Sequence, residues 1–378
     1  MNKIKEETDK KAVDFMLLIS ITILVLIGII MVFSASWPVG MSKFGNGYYF
    51  LKKHIGWAVF GFLGLFFAMN FDYIKLKKWA PYIFLLSLIL GLLVFTPMGA
   101  DIKGATRWLK IGTSSRHIKI MPSDAIKFGS ILFFAHFLAN KRERISTLLQ
   151  GTLPALIIIG LPTLIVIKED LGTGSTIAIT LMAMFFVGGM NLLHMVPVAA
   201  LAGGAFTVVL KDPANKYRLA RMVAFKDPFA DRLDTGWQLV QSLYSLGSGG
   251  LFGLGLGKSR QKFFYLSEAY NDFIFAIIGE ELGLIGTVLV TLLILIVIWR
   301  GIIIASKVDD LFGSLLATGI TALIAVQSLV HIGVVTSTIP TTGITLPFIS
   351  YGGTSLVMFM TLVGILLNIS RHVNFERG

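Results

Sequence analysis

Long apolar runs, uncharged or nearly so, repeated from one end of the chain to the other, restrict the possible folds more than any other feature. They lie at roughly 15–35, 55–71, 80–98, 125–139, 150–167, 173–190, 193–210, 273–299, 312–335 and 351–370. A helix needs about 20 apolar residues to cross the hydrocarbon core. Lipid accepts only structures that satisfy their backbone hydrogen bonds internally. The expectation is an all-α polytopic membrane protein with about ten transmembrane helices. Charged residues make up only 14% of the 378, against about a quarter in soluble domains. The uncharged run Phe15–Phe33 is too long for a signal-peptide core and reads as a retained first anchor.

An even number of spans puts both termini on one side. Lys3, Lys5, Lys10 and Lys11, then Lys75, Lys77 and Lys78, then Lys141, Arg142 and Arg144 fall in short segments on that side. The positive-inside rule makes it cytoplasmic. The whole chain then reads as one membrane domain, with residues 1–12 as a cytoplasmic tail and 211–270 as a large extracytoplasmic loop. Within that loop WQLVQSLYSL (Trp237–Leu246) has the apolar spacing of an interfacial or re-entrant helix. The glycine-rich stretch Gly247–Ser259 after it ends in GKS. Phe252 occupies the position where a phosphate loop needs its first glycine, and no strand precedes it, so a nucleotide site is rejected.

The formal charge is +12. No basic block with interleaved aromatics stands outside a membrane flank, so nucleic acid is not the expected partner. Yet the outer side carries Lys103, Arg107, Lys110, Arg116, Lys119, Lys211, Lys216, Arg218, Arg221 and Lys262, against the usual sorting rule. Either these solvate a face against anionic lipid, or they serve an anionic substrate on the outer leaflet. There is no cysteine, hence no disulfide and no thiolate nucleophile or metal ligand.

Acids are few enough to weigh singly. Asp272 opens the eighth span, as a favourable charge at a helix N-terminus or as a general base at the membrane surface. Glu268 lies four residues upstream, either assisting or solvated. Glu280 and Glu281 lie about two turns deeper, where adjacent acids demand partners or a polar cavity. Asp124 and Lys127 share a helix face at i,i+3 spacing. Lys168, Glu169 and Asp170 close the fifth span. Gln327 and His331 in the ninth are accounted for by interhelical hydrogen bonds. The segment Pro340–Ser355, PTTGITLPFISYGGTS, breaks regular structure at membrane depth and is expected to wall a cavity. No acidic or histidine cluster has metal-ligand spacing, and no nucleophile elbow appears, so an enzyme built on this chain would work by single displacement.

The motifs GATRW, PSDAIK, EDLGTGS, KDPFAD, the long block WQLVQSLYSLGSGGLFGLGLGKSRQKFFYLSEAYNDFIFAIIGEELG, and PTTGITLPFISYGGTSL occur in this order over nearly the whole length. In them the chain resembles the SEDS family (shape, elongation, division and sporulation), specifically its FtsW/SpoVE branch. GITLPF is more similar to the division and sporulation proteins than to the elongation protein RodA, which tends to carry proline where Thr345 sits. The resemblance implies a peptidoglycan glycosyltransferase that polymerises lipid II into glycan strands at the outer face of the bacterial cytoplasmic membrane, at a division or sporulation septum. It implies a class B penicillin-binding protein as partner, among other divisome proteins and membrane lipid. The family's essential aspartate falls on Asp272, its arginine before tryptophan on Arg107, and its fourth-helix acid and lysine on Asp124 and Lys127. Departures are Ser267 where proline is common, Tyr270–Asn271 for His–Thr, and Asp124 for glutamate. Catalysis is thus expected from Asp272. Substrate contacts are expected from Arg107, Asp124, Lys127, Asp170, Arg218, Arg221, Lys262, Glu268 and Ser350. A divalent cation (Mg or Mn) can accompany the pyrophosphate. The rivals are a lipid II flippase using its midplane charges, an elongation-type role, and a non-catalytic scaffold.

Overall fold

The structure, a computed structural model, describes residues 12–102, 105–113, 116–194, 196 and 224–373. Helices occupy nine of the ten expected spans: α1 Phe15–Phe44, α2 Tyr49–Asn70, α3 Tyr73–Leu93, α4 Pro122–Asn140, α5 Leu153–Glu169, α6 Leu171–Val187, α8 Ile274–Lys307, α9 Leu311–Val335 and α10 Gly353–Ser370. The run at 193–210 lies almost wholly outside the described residues. Seven helical stretches among the described residues are long and apolar enough to cross a membrane, counting α5 with the π-helical turn before it. α6 is apolar but shorter, and α4 carries Asp124 and Lys127 into the bundle. The expected loop helix is also present, as α7 Trp237–Gly249, which packs on α8 and α9.

Large apolar side chains on the outside of α1, α2, α3 and α8, among them Leu26, Leu63, Phe67, Leu85 and Leu292, are exposed. A soluble protein would not leave such a surface in water, whereas lipid solvates it. Inside, α10 lies along α2 and α8 along α9. A side chain at Gly364 of α10 would strike the Leu65 carbonyl of α2, so glycine is what lets the two backbones approach.

Both ends of the described chain meet at one face. The Asp14 carboxylate caps α1 at Leu17 N (3.0 Å) and pairs with Arg300 at 2.6 Å. The Asp14 amide donates to Ser370 Oγ at 3.1 Å.

The outer basic stretch before α4 forms a three-stranded antiparallel sheet, β1 Gly99–Ile102, β2 Ala105–Thr113 and β3 Arg116–Ile120. Ala100 faces Trp108, and Leu109 faces Ile120. TRWLKI (Thr106–Ile111) runs polar, polar, apolar, apolar, polar, apolar, so it lacks the strict alternation of a half-buried strand. The pleat of the strand sets direction. Arg107 shares a face with Leu109, which is buried, so the arginine is aimed at the bundle.

Two breaks in helical order govern the rest. α8 is interrupted at Gly283, whose φ of 69° and ψ of −164° no helix permits. The carbonyls and amides released there are taken up by the glycine-rich stretch. Leu254 N donates to Glu280 O (2.9 Å), Gly255 N to Glu281 O (3.0 Å), and Leu284 N to Gly250 O (2.9 Å). This is how lipid-depth irregular backbone survives, by being buried in protein. The second break is the non-helical strip at 340–352, between α9 and α10. It passes against α1 at Gly28, where a Cβ would lie 2.8 Å from both Ile349 Cα and Phe348 O. Gly28→Val is therefore expected to cost about 1–3 kcal/mol by overpacking, read as a lower melting temperature of the detergent-solubilised protein.

Candidate functional site

At the face opposite the chain ends, α5 gives way to α6 through Asp170. Asp170 caps α6, its carboxylate accepting from Thr173 N at 3.0 Å, and its other oxygen, Oδ2, lies 3.2 Å from Arg107 Nη1. Arg107 Nε donates to the Glu169 carbonyl at 3.2 Å, and the Glu169 carboxylate accepts from Thr106 N at 3.2 Å. Strand β2 is thus pinned to the α5–α6 junction. The guanidinium is about one-third exposed while Asp170 is buried, so one edge of the cation still faces outward.

The strip between α9 and α10 brings the third member. Gly343 has φ of +74°, and a Cβ built there would lie 3.4 Å from Asp272 Oδ2 and 3.9 Å from Arg107 Nη1. A carboxylate and a guanidinium therefore flank one glycine, whose left-handed backbone disfavours any other residue there. Asp272 is half-buried and precedes the first turn of α8. Its amide and that of Asn271 both donate to the Glu268 carbonyl, at 3.0 and 2.9 Å. Beside Arg107 a small cleft of about 30 Å³ lies between α3, α4, α5 and β2. Its walls are Val94, Phe95, Ile126 and Ile165, and its polar end holds Arg107, Glu169 and Asp170. The shape is a greasy slot with a cation at one end.

Asp272 also sits among tyrosines. Tyr270 and Tyr351 lie 5.8 Å apart, edge to face, with Phe50 beside both. Burial, with a smaller push from Tyr49, raises the Tyr351 hydroxyl to about 12. Burial first, then the charges of Glu268, Tyr351 and Asp272, raises Tyr270 as well. Both remain protonated near neutral pH and offer no competing base.

The remaining expected site residues take framework bonds. Glu268, at a φ of +55°, accepts from Asn271 Nδ2 at 2.8 Å and shapes the turn before Asp272. Ser350 is buried and bonds to Asn271 O (2.6 Å) and Leu346 N (2.8 Å). Lys262 belongs to a clasp at membrane depth, where its ammonium meets Glu281 Oε1 at 2.9 Å, Ser34 Oγ at 3.0 Å and Gly257 O at 2.7 Å. Glu281 further accepts from the amides of Gly257 and Ser259. Glu280 takes the hydroxyls of Ser245 and Ser259 and the Arg260 amide. Asp124 and Lys127 form the i,i+3 pair at 3.3 Å, both buried, joined by Thr354 on one side and Gln327 on the other. Arg218 and Arg221 lie outside the described residues.

Three contributors were not assigned to the site from sequence. Glu169 supplies the carbonyl that orients Arg107. Gln327 makes the expected interhelical bond, to Lys127 of α4, and both Gln327 and His331 also bond to backbone carbonyls of the strip. The signal for the last two was present in their i,i+4 spacing, which puts both on one face of α9. Among the described residues no group of three or more His, Asp or Glu is placed to hold a metal ion.

Known proteins agree with this architecture. A chain from a peptidoglycan synthase complex in which polymerization and crosslinking are structurally coordinated superposes with a TM-score of 0.76 at 24% identity, over 95% of this chain and 98% of that one. Rod shape determining protein RodA of Thermus thermophilus superposes with a TM-score of 0.69 at 24% identity, over 95% and 97%. In sequence the chain is 43% identical to Stage V sporulation protein E of Bacillus subtilis (strain 168) across 372 residues, 97% of this chain and all of that one. It is 38% identical to Probable peptidoglycan glycosyltransferase FtsW of Geobacter sp. (strain M18), over 94% and 96%. The model of the cell cycle protein family FtsW/RodA/SpoVE matches residues 14–375, and this polytopic membrane protein belongs to that family.

Proposed function

We propose that this protein is a peptidoglycan glycosyltransferase that polymerises lipid II at the outer face of the bacterial cytoplasmic membrane. The observation that carries the reading is the meeting of Asp272 and Arg107 across Gly343, with Arg107 also at the polar end of an apolar cleft. Lipid II has matching chemistry: a pyrophosphate for the cation, a sugar at the water side, and a polyprenyl tail that the surrounding lipid solvates beside the apolar cleft. Names of the relatives support the same activity.

The acceptor's 4-hydroxyl attacks C1 of the donor sugar from the face opposite the pyrophosphate. The new C1–O4 bond forms as the C1–O bond to pyrophosphate breaks, which inverts the anomeric centre. Asp272 receives the hydroxyl proton. Arg107 stabilises charge gathering on the departing pyrophosphate, with its guanidinium aimed beforehand by Asp170 and the Glu169 carbonyl, so little reorganisation is needed at the moment of reaction. Arg218 and Arg221 remain proposed further cations for that anion. Because the described carboxylates form no metal cage, a Mg or Mn ion would arrive as counter-ion of the pyrophosphate, and no step depends on it here.

The proposed setting is the division or sporulation septum, in complex with a class B penicillin-binding protein and other divisome proteins. Purified protein with its cognate transpeptidase, given labelled lipid II, is expected to produce glycan ladders on a gel. A folded complex without ladders, together with lipid II translocation in vesicles, would overturn the reading in favour of a flippase. Glu280 and Glu281 favour that rival little, since both are saturated by protein donors.

Arg107→Lys tests the cation. A lysine ammonium is a point charge and cannot reproduce the fork that reaches both Asp170 and the Glu169 carbonyl. Polymerisation is expected to fall about 100-fold, the lower end of what one lost transition-state donor to an anion costs, with only a small fall in melting temperature because Thr106 N still ties β2 to Glu169. A variant at wild-type rate would remove Arg107 from the mechanism.

A further inference from the structure

Beneath the site runs a continuous set of buried hydrogen bonds that the chemistry above does not use. Thr354 Oγ1 donates to Asp124 Oδ2 (2.7 Å), Lys127 Nζ to Asp124 Oδ1 (3.3 Å), and Lys127 Nζ to Gln327 Oε1 (3.2 Å). Gln327 Nε2 then donates to Thr345 O at 2.9 Å and to its Oγ1 at 3.3 Å. Gln327 is 1% exposed. Its amide has only one workable orientation, because a flip would turn its NH₂ onto the Lys127 ammonium and its oxygen onto a carbonyl. One turn along α9, His331 Nδ1 meets Ile344 O at 2.7 Å. Two consecutive carbonyls of the non-helical strip are therefore held from one helix face, directly after Gly343.

The other end of the strip is tied to the aspartate's own backbone. Leu346 N donates to Ser350 Oγ, and the Ser350 hydroxyl donates to Asn271 O, one residue before Asp272. Tyr351 N adds a bond to Tyr270 O at 3.0 Å. The strip thus bridges the buried α4–α9 network and the loop that carries Asp272, with Gly343 between the carboxylate and Arg107.

We propose that Gln327 and Ser350 are positioning residues for the reaction: through the strip they set the separation of Asp272 and Arg107, and neither touches substrate. This rests on Asp272 being the base. Displacing reacting groups by about 1 Å costs on the order of 100-fold, so the loss should appear in turnover and not in substrate affinity.

The test measures kcat and KM for lipid II in the intact complex with the transpeptidase. Gln327→Glu keeps an oxygen toward Lys127 and removes the donor to Thr345, while Ser350→Ala breaks the tie to Asn271. Each is expected to lower kcat about 10-fold or more with KM within about twofold, the scale of a small misplacement. Ser350→Thr, which keeps the hydroxyl, should restore most of the rate. The double variant should lose no more than the worse single one, because both act on one geometry. In an Asp272→Asn background neither change should reduce the residual rate further.

Wild-type kcat in a folded Ser350→Ala or Gln327→Glu complex would overturn the positioning role while leaving the base intact. Multiplicative losses in the double variant would also overturn it. Substantial activity of Asp272→Asn alone would instead sink the base assignment. If Gln327→Glu fails to fold, the Ser350→Ala and Ser350→Thr pair still decides the matter.

Discussion

Replacing Asp272 with asparagine is expected to reduce lipid II polymerisation by about 10²–10⁴-fold, the range that a positioned proton acceptor contributes. Asparagine is nearly isosteric, so the first turn of α8 and the bonds from the Asn271 and Asp272 amides to Glu268 remain available. The folded state and the transpeptidase complex should survive. Elution volume and melting temperature check the fold, and glycan length and rate on gels check the chemistry. Since Asn cannot accept the hydroxyl proton, raising the pH should recover little, because a free hydroxide lacks the carboxylate's position. Near wild-type synthesis by a folded Asp272→Asn complex would exclude this residue as the base.

The second large effect lies away from the chemistry. Lys262→Met removes the cation from Glu281, a carboxylate with no measurable exposure, bonded to Lys262, Ser34 and two backbone amides. Breaking one side of a buried ion pair typically costs about 3–5 kcal/mol, because the remaining charge is stranded. The expected result is a marked drop in melting temperature and opening of the glycine-rich clasp around the break at Gly283. Lys262→Met combined with Glu281→Gln should be distinctly more stable than Lys262→Met alone, since no bare charge is left. If the two variants melt together, the pair does not hold the clasp. Activity loss in Lys262→Met is expected to follow loss of folded protein, which separates it from Arg107 and Asp272.

That contrast shows where a charge on the sequence is ambiguous. Lys262 and Arg107 both belong to the outer basic excess that pointed to an anionic substrate. Only Arg107 lies at the cavity mouth with an outward edge. Lys262 turns inward to neutralise the midplane acid that a transporter reading would need. Net charge in a loop says that cations are present, not which way they face.

Much of the molecule was nonetheless legible. Apolar runs of membrane-crossing length dictate helices, because lipid leaves the backbone no other donors and acceptors, and nine of the ten occur where expected among the described residues. The interfacial periodicity of Trp237–Leu246 produced α7, and the Pro- and Gly-broken stretch before α10, expected to wall a cavity, lines none of the described cleft but brings Gly343 against Asp272 and Arg107. The sheet at 99–120 was missed because its central strand lacks polar–apolar alternation and carries several charges. Asp272 could be singled out as a carboxylate at a helix start, with two readings of equal standing.

What the sequence determined by itself is the set of helices, the polar end of the bundle and the short roster of acids and bases. These follow from solvation, a local property of each segment in lipid. Tertiary structure alone decided which of those groups meet. It placed Arg107 beside Asp272 across Gly343, enclosed Glu281 with Lys262, and connected Asp124 to the strip through Gln327. Those pairings join positions far apart in the chain, and their energies depend on distances of a few ångströms and on burial. No pattern confined to one segment encodes either, because both exist only once the helices have packed.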